Sequence, residues 1–503
     1  MQILQVSAEY FPLLKTGGLA DVAGALPQAL QPLGCEVRPL LPGFAAMLDG
    51  LAEPVEVGRC LTPWGQPLRL LRGWLREPAG GPQAASSIAS AASTDIQAYV
   101  VESAELYLRP GGPYETPDKQ PHADNQRRFA ALCWVAARLA EGFDPSWRPD
   151  LVHGHDWHAG LVPAYLAAAG SRVPCLFTVH NLAYQGLFPR ADYEGLGLPA
   201  HWFQPEGLEF YGQLSFMKAG LYYADRLSTV SPSYAREIQS PEFGCGLDGL
   251  LRHRQTVLSG ILNGIDERVW NPLHDPHLPV NYGSDSLELR AGNKAALQAE
   301  LGLEVRPELP LFTVVSRLTE QKGLPLVLAG CEALVRQGAQ LLVLGSGDQA
   351  LEAAFAAKAA QHPGRVAVRL GYDEALSHRI FGGGDVTLVP SRFEPCGLTQ
   401  LYGLAYGCLP LVRRVGGLAD TVTDADLVTL DEGQASGVVF DRMEQGDFDH
   451  AVRRMLALYR RPADWRQLQQ TGMRQPLHWG DAAARYQALY RVMLNSTTLA
   501  GGR

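Results

Sequence analysis

The sequence lacks the features that mark several special classes of protein. Its eight cysteines are scattered and include no Cys-x-x-Cys pair, which argues against a zinc site or a disulfide framework and favours a reducing compartment. No apolar run reaches the length of about 18 residues that a membrane span requires, and no charged-then-apolar leader is recognisable. Basic residues are in the minority, 43 against 52 acidic ones, so wholesale nucleic-acid binding is not expected at a net charge of −9. We therefore expect a cytoplasmic protein with neither membrane nor nucleic-acid partners.

What the sequence does have is a regular alternation of short apolar runs with helix-like stretches. Runs that are apolar throughout are typical of parallel strands covered on both faces. The composition, 46% hydrophobic and 19% charged, suits a globular protein, and 503 residues exceed what one core holds. The pattern therefore predicts an α/β protein of two or more domains. The predicted strands cover residues 3–7, 36–41, 150–155, 173–179, 226–231, 311–316, 340–345, 366–371, 385–390 and 409–412.

The turn-rich segment 258–264 is the predicted domain boundary, because a new strand–helix series begins after it. We predict one Rossmann-like domain over residues 1–258 and a second over residues 259–478. The last helix-like segment, 479–503, is expected to pack back on the first domain. Residues 78–95 are small and without periodicity, which predicts a flexible surface loop inserted between strands.

A short internal repeat suggests that the two halves are similar. Residues 17–21, Gly-Gly-Leu-Ala-Asp, recur as residues 416–420, each time after an apolar strand. Two doubly wound domains that face each other would place both Gly-Gly turns at a central cleft, where the carboxyl ends of the strands open.

The first of these turns, preceded by Lys15, predicts an anion site. Glycines let the backbone approach a ligand, and N–H groups at the start of the following helix point towards it. Lys15 adds a mobile charge suited to phosphate. A Gly-Gly turn is also common as a simple connection between a strand and a helix. Whether this turn binds a ligand therefore has to be judged together with the other polar clusters.

Histidines crowd the end of a predicted strand, in the segment 153–158 (His-Gly-His-Asp-Trp-His). This segment fits a metal site, a satisfied polar strand end, or a sugar site in which Asp156 accepts hydroxyl hydrogen bonds and Trp157 supplies an apolar platform. His180 and Asn181 follow the next strand. His180 is a candidate for positioning a ligand or carrying a proton, with a purely structural role as the alternative.

A positively charged turn follows a predicted strand in the second half of the chain. Arg317 and Lys322 lie five residues apart across this turn, so both could reach one diphosphate. The alternative is an ordinary solvated turn.

A second cluster in this half surrounds Glu394. Pro395 is predicted in the first turn of a helix, which would leave the N–H groups of residues 396–399 for a ligand. Glu394 at that position could bind sugar hydroxyls, and Tyr372, after another strand, is a candidate ring for stacking on a base.

Together these motifs resemble those of bacterial glycogen synthases and the related plant starch synthases, which are retaining glycosyltransferases of the two-domain GT-B type. The match runs in family order over nearly the whole chain, except for residues 78–95. The resemblance implies a GT-B fold and transfer of glucose from ADP-glucose to the non-reducing end of an α-1,4-glucan such as glycogen, with retention of configuration and without a cofactor or metal. The motifs that carry it are residues 15–21, 155–158, 178–181, 263–266, 316–318, 322–323 and 390–402.

The resemblance also implies roles for individual residues. The predicted catalytic residues are His180, Arg317, Lys322 and Glu394, of which Arg317 and Lys322 neutralise the departing diphosphate. The predicted ADP-glucose-binding residues are Lys15, Gly18, Asn263, Tyr372, Cys396, Gly397, Leu398 and Thr399. The predicted acceptor- or sugar-binding residues are Glu9, Asp21, Asp156, Trp157 and Asn181.

Position 402 departs from the broader retaining GT-B pattern, since Tyr402 stands where many such enzymes carry a second Glu. Bacterial glycogen synthases resemble this chain there, and ribose recognition is left unassigned. The sequence offers no clear carboxylate nucleophile, which favours assistance by the leaving phosphate over double displacement. The alternatives are a related transferase that uses UDP-glucose or another acceptor, and a non-catalytic glucan-binding protein. A dinucleotide-dependent dehydrogenase is disfavoured, because the first strand leads into Lys-Thr-Gly-Gly and not G-x-G-x-x-G.

Overall fold

The computed structural model describes residues 1–76 and 96–500, with nothing said of the side chains of 496–500. The surface loop predicted for 78–95 lies outside the described residues. The contacts between residues divide the chain into two compact units. The first comprises Met1–Val230, Ala235–Ile261 and the segment from Trp479 onward, and the second comprises Ser231–Tyr234 and Leu262–His478.

Strands and helices alternate through both units. The strands are β1 (Gln2–Val6), β2 (Glu36–Pro42), β3 (Leu51–Leu61), β4 (Pro67–Leu75), β5 (Ile96–Glu102), β6 (Leu151–His155), β7 (Cys175–Val179), β8 (Leu187–Pro189), β9 (Glu209–Phe210), β10 (Gln213–Ser215), β11 (Arg226–Thr229), β12 (Leu258–Gly260), β13 (Leu311–Val315), β14 (Gln340–Gly345), β15 (Val366–Leu370), β16 (Val386–Val389), β17 (Leu409–Arg413) and β18 (Val438–Phe440). The α-helices are α1 (Gly18–Leu30), α2 (Ala45–Asp49), α3 (Ala104–Tyr107), α4 (Asn125–Ala140), α5 (Val162–Ala168), α6 (Phe216–Tyr223), α7 (Pro232–Glu237), α8 (Asp248–His253), α9 (Arg290–Glu300), α10 (Leu324–Arg336), α11 (Gln349–Gln361), α12 (Glu374–Gly383), α13 (Thr399–Tyr406), α14 (Gly416–Thr421), α15 (Leu427–Asp431), α16 (Gln445–Tyr459), α17 (Pro462–Met473) and α18 (Trp479–Ala500).

The main sheet of the first unit has, among the described residues, nine strands in the order β12-β11-β7-β6-β1-β2-β5-β4-β3. From β12 to β5 neighbouring strands are parallel. Strands β6 and β7 are buried along their whole length, as expected of strands covered by helices on both faces. The parallel order brings the carboxyl ends of β1, β6 and β7 to one edge of the sheet, so the residues that follow these strands are neighbours there.

Strands β3 and β4 extend this sheet in a way that the sequence pattern did not predict. Strand β4 pairs antiparallel with both β5 and β3. Strand β3 is mostly exposed, contains Pro54, and shifts register twice against β4. An exposed edge strand does not need a continuous apolar run, which is the pattern that predicted the parallel strands.

Helix α18 belongs to the first unit and packs on α1. Val22 and Leu26 of α1 share one buried cluster with Trp479, Ala483 and Tyr486 of α18. Their spacing of three to four residues places the apolar side chains of each helix on one face, which is the face buried in this cluster.

The second unit contains a parallel sheet of six strands in the described chain, in the order β15-β14-β13-β16-β17-β18. Strand β13 is central, and its apolar residues Phe312 and Val314 lie in the main core of this unit. The loops that follow β13, β15 and β16 leave the same edge of the sheet. The prediction of an α/β protein built on parallel sheets is confirmed, and none of the described helices is long and apolar enough to cross a membrane.

Candidate functional site

The first unit places a buried carboxylate, Glu9, at the Lys-Thr-Gly-Gly turn. Its side chain accepts hydrogen bonds from the backbone N–H groups of Thr16, at 2.7 Å, and Gly17, at 3.3 Å. The hydroxyl groups of Thr16 and Tyr114 also donate to it. Two N–H groups of the turn that precedes α1 are thus bonded to an anion of the protein itself, which orders the turn. The anion site at the start of α1 stays a prediction.

Lys15 lies at the entrance to the same turn. Its Nζ is 2.8 Å from the Asp21 carboxylate on α1 and 5.1 Å from the centre of the Phe11 ring. Helix α1 begins at Gly18, directly after Gly17. A Cβ atom added to Gly17 would meet nothing within 4 Å, so packing does not require a glycine at that position.

Asp156, after β6, has an unusual backbone conformation. Its φ of +59° and ψ of −178° lie in a region that is strained for every residue except glycine. Such strain persists only when the surroundings impose it, and it concentrates at functional sites. The side chain is 6% exposed, and within the described chain its Oδ1 has no hydrogen-bond partner.

Burial raises the pKa of the Asp156 carboxyl to about 8, and the negative charge of Glu9 contributes to the rise. The backbone N–H groups of Trp157, His180 and Asn181 oppose it. At neutral pH the carboxyl group therefore carries a proton. It can donate as well as accept a hydrogen bond, which suits contact with a sugar hydroxyl.

Three buried histidines lie in β6 and directly after β7, namely His153, His155 and His180. His153 Nδ1 is 2.9 Å from the Tyr490 hydroxyl of α18, and its Nε2 is 2.6 Å from the Thr178 hydroxyl. His155 Nδ1 is 3.0 Å from His180 Nε2, and the His153 and His155 rings are 4.0 Å apart. Burial lowers the pKa of His153 and of His180 to about 3, and that of His155 well below its usual range, so all three rings are neutral.

Trp157 forms part of an aromatic wall. Its ring lies 5.0 Å from Phe129 and 4.1 Å from His158, which stacks on Tyr114 at 4.6 Å. Trp157 also lines an open pocket of about 520 Å³. The pocket is lined by Trp157, Ala183, Tyr184, Gln185, Gly186, Leu187, Phe210 and Cys245. Among the described residues, no group of three or more His, Cys, Asp and Glu side chains is arranged to hold a metal ion.

In the second unit, Lys322 and Glu394 form an ion pair. Lys322 Nζ is 2.6 Å from Glu394 Oε2, which also accepts a hydrogen bond of 2.9 Å from the Ser391 hydroxyl. Gly323 makes the approach of the two loops possible: its φ is +70°, and a Cβ there would lie 1.9 Å from the carbonyl oxygen of Pro390. Arg317 precedes this loop and is exposed.

The segment after Glu394 presents backbone N–H groups. Gly417 N–H donates to the carbonyls of Glu394 and Pro395, and the Gln400 side chain donates to those of Cys396 and Gly397. Among the described residues, no acceptor bonds the N–H groups of Cys396, Gly397, Leu398 or Thr399.

One prediction about this segment is wrong. Pro395 is not in the first turn of a helix, because α13 begins four residues later, at Thr399. Gly397 has a φ of +73°, which no α-helix accommodates. The open N–H groups therefore belong to a glycine-dependent turn that leads into the helix.

The repeated Gly-Gly motif has a different physical basis in the second unit. A Cβ on Gly416 would lie 2.0 Å from the carbonyl oxygen of Glu394, and one on Gly417 would lie 2.1 Å from that of Cys396. These two glycines are needed because the Glu394–Cys396 backbone packs directly on them, whereas Gly17 is open.

Asn263 and Tyr372 are the remaining predicted residues of this unit. The Asn263 N–H bonds to the Cys396 thiol, while among the described residues the Asn263 side-chain oxygen has no partner. Tyr372 follows β15 with 75% of its surface exposed, and its hydroxyl donates to the Glu374 carboxylate. Tyr402 stacks on Trp270, with ring centres 3.8 Å apart.

Two residues of the first unit were given no individual role from the sequence. Tyr114, which bonds Glu9 and stacks on His158, lies in a Gly- and Pro-rich loop without any motif. His155 was visible in the histidine cluster, but its contact with His180 depends on the pairing of β6 with β7. The assignments of the other site residues to substrate remain predictions.

Family models match both halves of the chain. The model described as the starch synthase catalytic domain matches residues 2–253, and the one described as glycosyl transferases group 1 matches residues 302–470. Two curated glycogen synthases, from Variovorax paradoxus and Leptothrix cholodnii, are each 56% identical to the chain. The first alignment covers 99% of both proteins, and the second covers 98% of this chain and 99% of its relative.

Solved structures give the same picture of the fold. The catalytic domain of starch synthase IV from Arabidopsis thaliana, solved with ADP and acarbose, matches with a TM-score of 0.85 and 28% identity over 98% of this chain and 99% of that one. Sucrose-phosphate synthase from Thermosynechococcus elongatus matches with a TM-score of 0.60 over 99% of this chain and 100% of that one, at 16% identity, which speaks to the fold alone. The predicted GT-B fold class is confirmed.

Proposed function

The chain belongs to the glycogen synthase family of glycosyltransferases, and on that premise we propose that it transfers glucose from ADP-glucose to the non-reducing end of an α-1,4-glucan with retention of configuration. The family relationship rests on curated relatives matched over nearly their full length. The solved starch synthase IV catalytic domain, bound to ADP and acarbose, supports the choice of nucleotide and glucan.

The observation that carries the donor site is the arrangement around Glu394. The cation Lys322, the Glu394 carboxylate and the N–H groups of residues 396–399, which no acceptor in the described part of the chain bonds, occur within one loop cluster of the second unit. A nucleoside diphosphate sugar needs positive charge and N–H donors for its phosphates and an acceptor for its sugar hydroxyls. This cluster offers all three, with Tyr372 as an exposed ring for the base.

In the proposed mechanism, the acceptor hydroxyl oxygen bonds to the anomeric carbon as the bond from that carbon to the phosphate oxygen breaks. The departing phosphate takes the proton of the acceptor hydroxyl, so no protein base is required. Arg317 and Lys322 stabilise the negative charge that develops on the diphosphate, which is the largest electrostatic demand of the step. Glu394 binds donor hydroxyls. Within the first unit, Asp156 and His180 offer polar groups suited to sugar hydroxyls. A glycosyl adduct trapped on the protein when E394Q is incubated with donor would overturn this mechanism.

Metal independence is part of the proposal, because side-chain cations and N–H donors take the role that Mg²⁺ has in many phosphate-transfer enzymes. We expect dialysis against a chelator to leave the rate unchanged. A rate that disappears under the chelator and returns with Mg²⁺ would refute this part. We also propose a cytoplasmic location, which the free thiols of all eight cysteines support.

The deciding experiment measures nucleotide release with glycogen as acceptor, using ADP-glucose and UDP-glucose in parallel. We expect turnover with ADP-glucose to exceed that with UDP-glucose by at least ~10-fold. Equal rates, or a preference for UDP-glucose, would refute the donor assignment. Glycogen binding without release of ADP would show a non-catalytic protein. The variant K358A is the control, since Lys358 pairs with Glu332 on the surface of the second unit.

A further inference from the structure

His155 contacts a predicted catalytic residue and has no assigned role. It is fully buried at the end of β6, and its Nδ1 lies 3.0 Å from Nε2 of His180. This distance is that of a good hydrogen bond between ring nitrogens. A neutral imidazole carries one proton, so a bond between two neutral rings needs a donor on one and a lone pair on the other.

The two possible proton positions are not equivalent. If His180 donated from Nε2, the proton of His155 would have to reside on its own Nε2. That atom is buried, and within the described residues it has no hydrogen-bond partner. Placing an N–H there would bury an unpaired donor, which is rarer and costlier in folded proteins than an unpaired acceptor. If His155 instead donates from Nδ1, its Nε2 is unprotonated, and only an unpaired acceptor is buried there.

The surroundings reinforce this choice. Burial lowers the pKa of both rings, so each ring is neutral and carries one proton. The choice is therefore between two neutral tautomers. The neighbouring His153 ring contacts the His155 ring at 4.0 Å, and its own nitrogens are bonded to Tyr490 and Thr178. His153 therefore packs against His155 but offers no ring nitrogen to its Nε2.

We infer that His155 is a positioning residue that donates from Nδ1 to Nε2 of His180 and thereby holds His180 as the tautomer protonated at Nδ1. His180 then presents an N–H donor at its other nitrogen, suited to a sugar hydroxyl or a phosphate oxygen. A free histidine favours the opposite tautomer, so the contact selects one of two chemical forms. The catalytic meaning of this tautomer rests on the proposed function, whereas the tautomer itself does not.

The test reads the tautomer directly. In protein labelled with ¹⁵N-histidine, long-range ¹H–¹⁵N spectra distinguish protonated from bare ring nitrogens, and H180N identifies the His180 signals by their loss. We expect wild-type His180 to show a protonated Nδ1 and a bare Nε2. A protonated Nε2 in the wild type would overturn the inference, whatever the enzyme's activity.

Variants at position 155 test cause and effect. H155F keeps a ring of similar size without a donor, and we expect His180 to shift to the Nε2-protonated form and kcat to fall ~10- to 100-fold with a smaller change in KM. H155N retains an N–H donor at the same number of bonds from Cα and should restore most of the activity and the wild-type tautomer. H153N, next to it on β6, should leave the His180 tautomer unchanged. An unchanged His180 tautomer in folded H155F would refute the positioning role. If H155F does not fold, the wild-type spectrum still shows which tautomer His180 adopts.

Discussion

The Nζ atom of Lys322 lies 2.6 Å from the carboxylate of Glu394, and both side chains are largely buried. Each therefore compensates the charge of the other within the second unit. Lys322 therefore has two effects: it stabilises the loop cluster, and it supplies the positive charge that a diphosphate needs. A substitution of Lys322 alone changes both.

The first prediction concerns these two effects. K322M leaves the Glu394 carboxylate buried without its cation, so we expect a loss of about 1–3 kcal/mol in the free energy of unfolding. K322M/E394Q should recover most of that stability, since neither charge remains. Activity should fall by at least ~100-fold in both proteins, because the electrostatic support of the leaving diphosphate is missing in each. Urea unfolding and ADP release measure the two quantities, and recovery of activity in the double variant would contradict the assigned role of Lys322.

The second prediction compares two glycines of the repeated motif. G17A adds a methyl group into open space, and its unfolding free energy should stay within about 0.5 kcal/mol of wild type. G417A places a Cβ 2.1 Å from a backbone oxygen and should lose about 1–3 kcal/mol. If Gly17 borders a ligand, G17A should nevertheless lower turnover by ~10-fold or more. A fully active G17A would show that no ligand approaches that position.

The third prediction follows from the raised pKa of Asp156. The carboxyl ionises near its ordinary pKa in the unfolded chain but at about 8 in the folded protein. The stability that this group contributes is therefore complete below its ordinary pKa and is lost as pH rises towards 8, at up to about 1.4 kcal/mol per pH unit. D156N lacks the titration, so its stability relative to wild type should rise with pH and level off above 8. Urea midpoints from pH 5 to 9 test this, with D118N, at an exposed carboxylate, as the control that should show no such trend.

The fourth prediction has the opposite sign. His158 is buried, and in the described chain neither ring nitrogen has a partner, so burial lowers its pKa well below the usual range. The stability contributed by the neutral ring is present above its unfolded pKa and is lost as pH falls. H158F keeps the stacking on Tyr114 without a titrating group. Its stability relative to wild type should therefore increase by ~1–2 kcal/mol between pH 7.5 and pH 5. A difference that is constant over this range would contradict the buried neutral state.

The sequence predicted most of the parallel strands because their signal is local, but it missed β5, β12 and β18. Strands such as β7 are continuous apolar runs, and each is long enough to be recognised by itself. Strands β3 and β4 were not predicted, since an exposed antiparallel edge depends on its neighbour more than on its own composition. The residues after the strands were also found, because parallel order alone brings Asp156 and His180 to one edge.

What the sequence left open are contacts that depend on distances between side chains. The amino-acid sequence does not show that Glu9 accepts hydrogen bonds from the N–H groups of Thr16 and Gly17, or that His155 contacts His180. The Pro395 prediction was wrong for a related reason: proline is common at the start of helices, but the conformation of Gly397 delays the helix to Thr399. The sequence also does not show that Gly17 is open whereas Gly416 and Gly417 are closely packed.

The membership of α18 in the first unit bears on how the protein is made. Its Tyr486 and Tyr490 lie in the buried cluster of α1, yet they are synthesised more than 400 residues after that helix. As the polypeptide leaves the ribosome, domains generally fold as units once their residues are available. The face of α1 that α18 covers therefore stays uncovered until α18 has been synthesised, which is after the stretch 262–478 of the second unit has emerged.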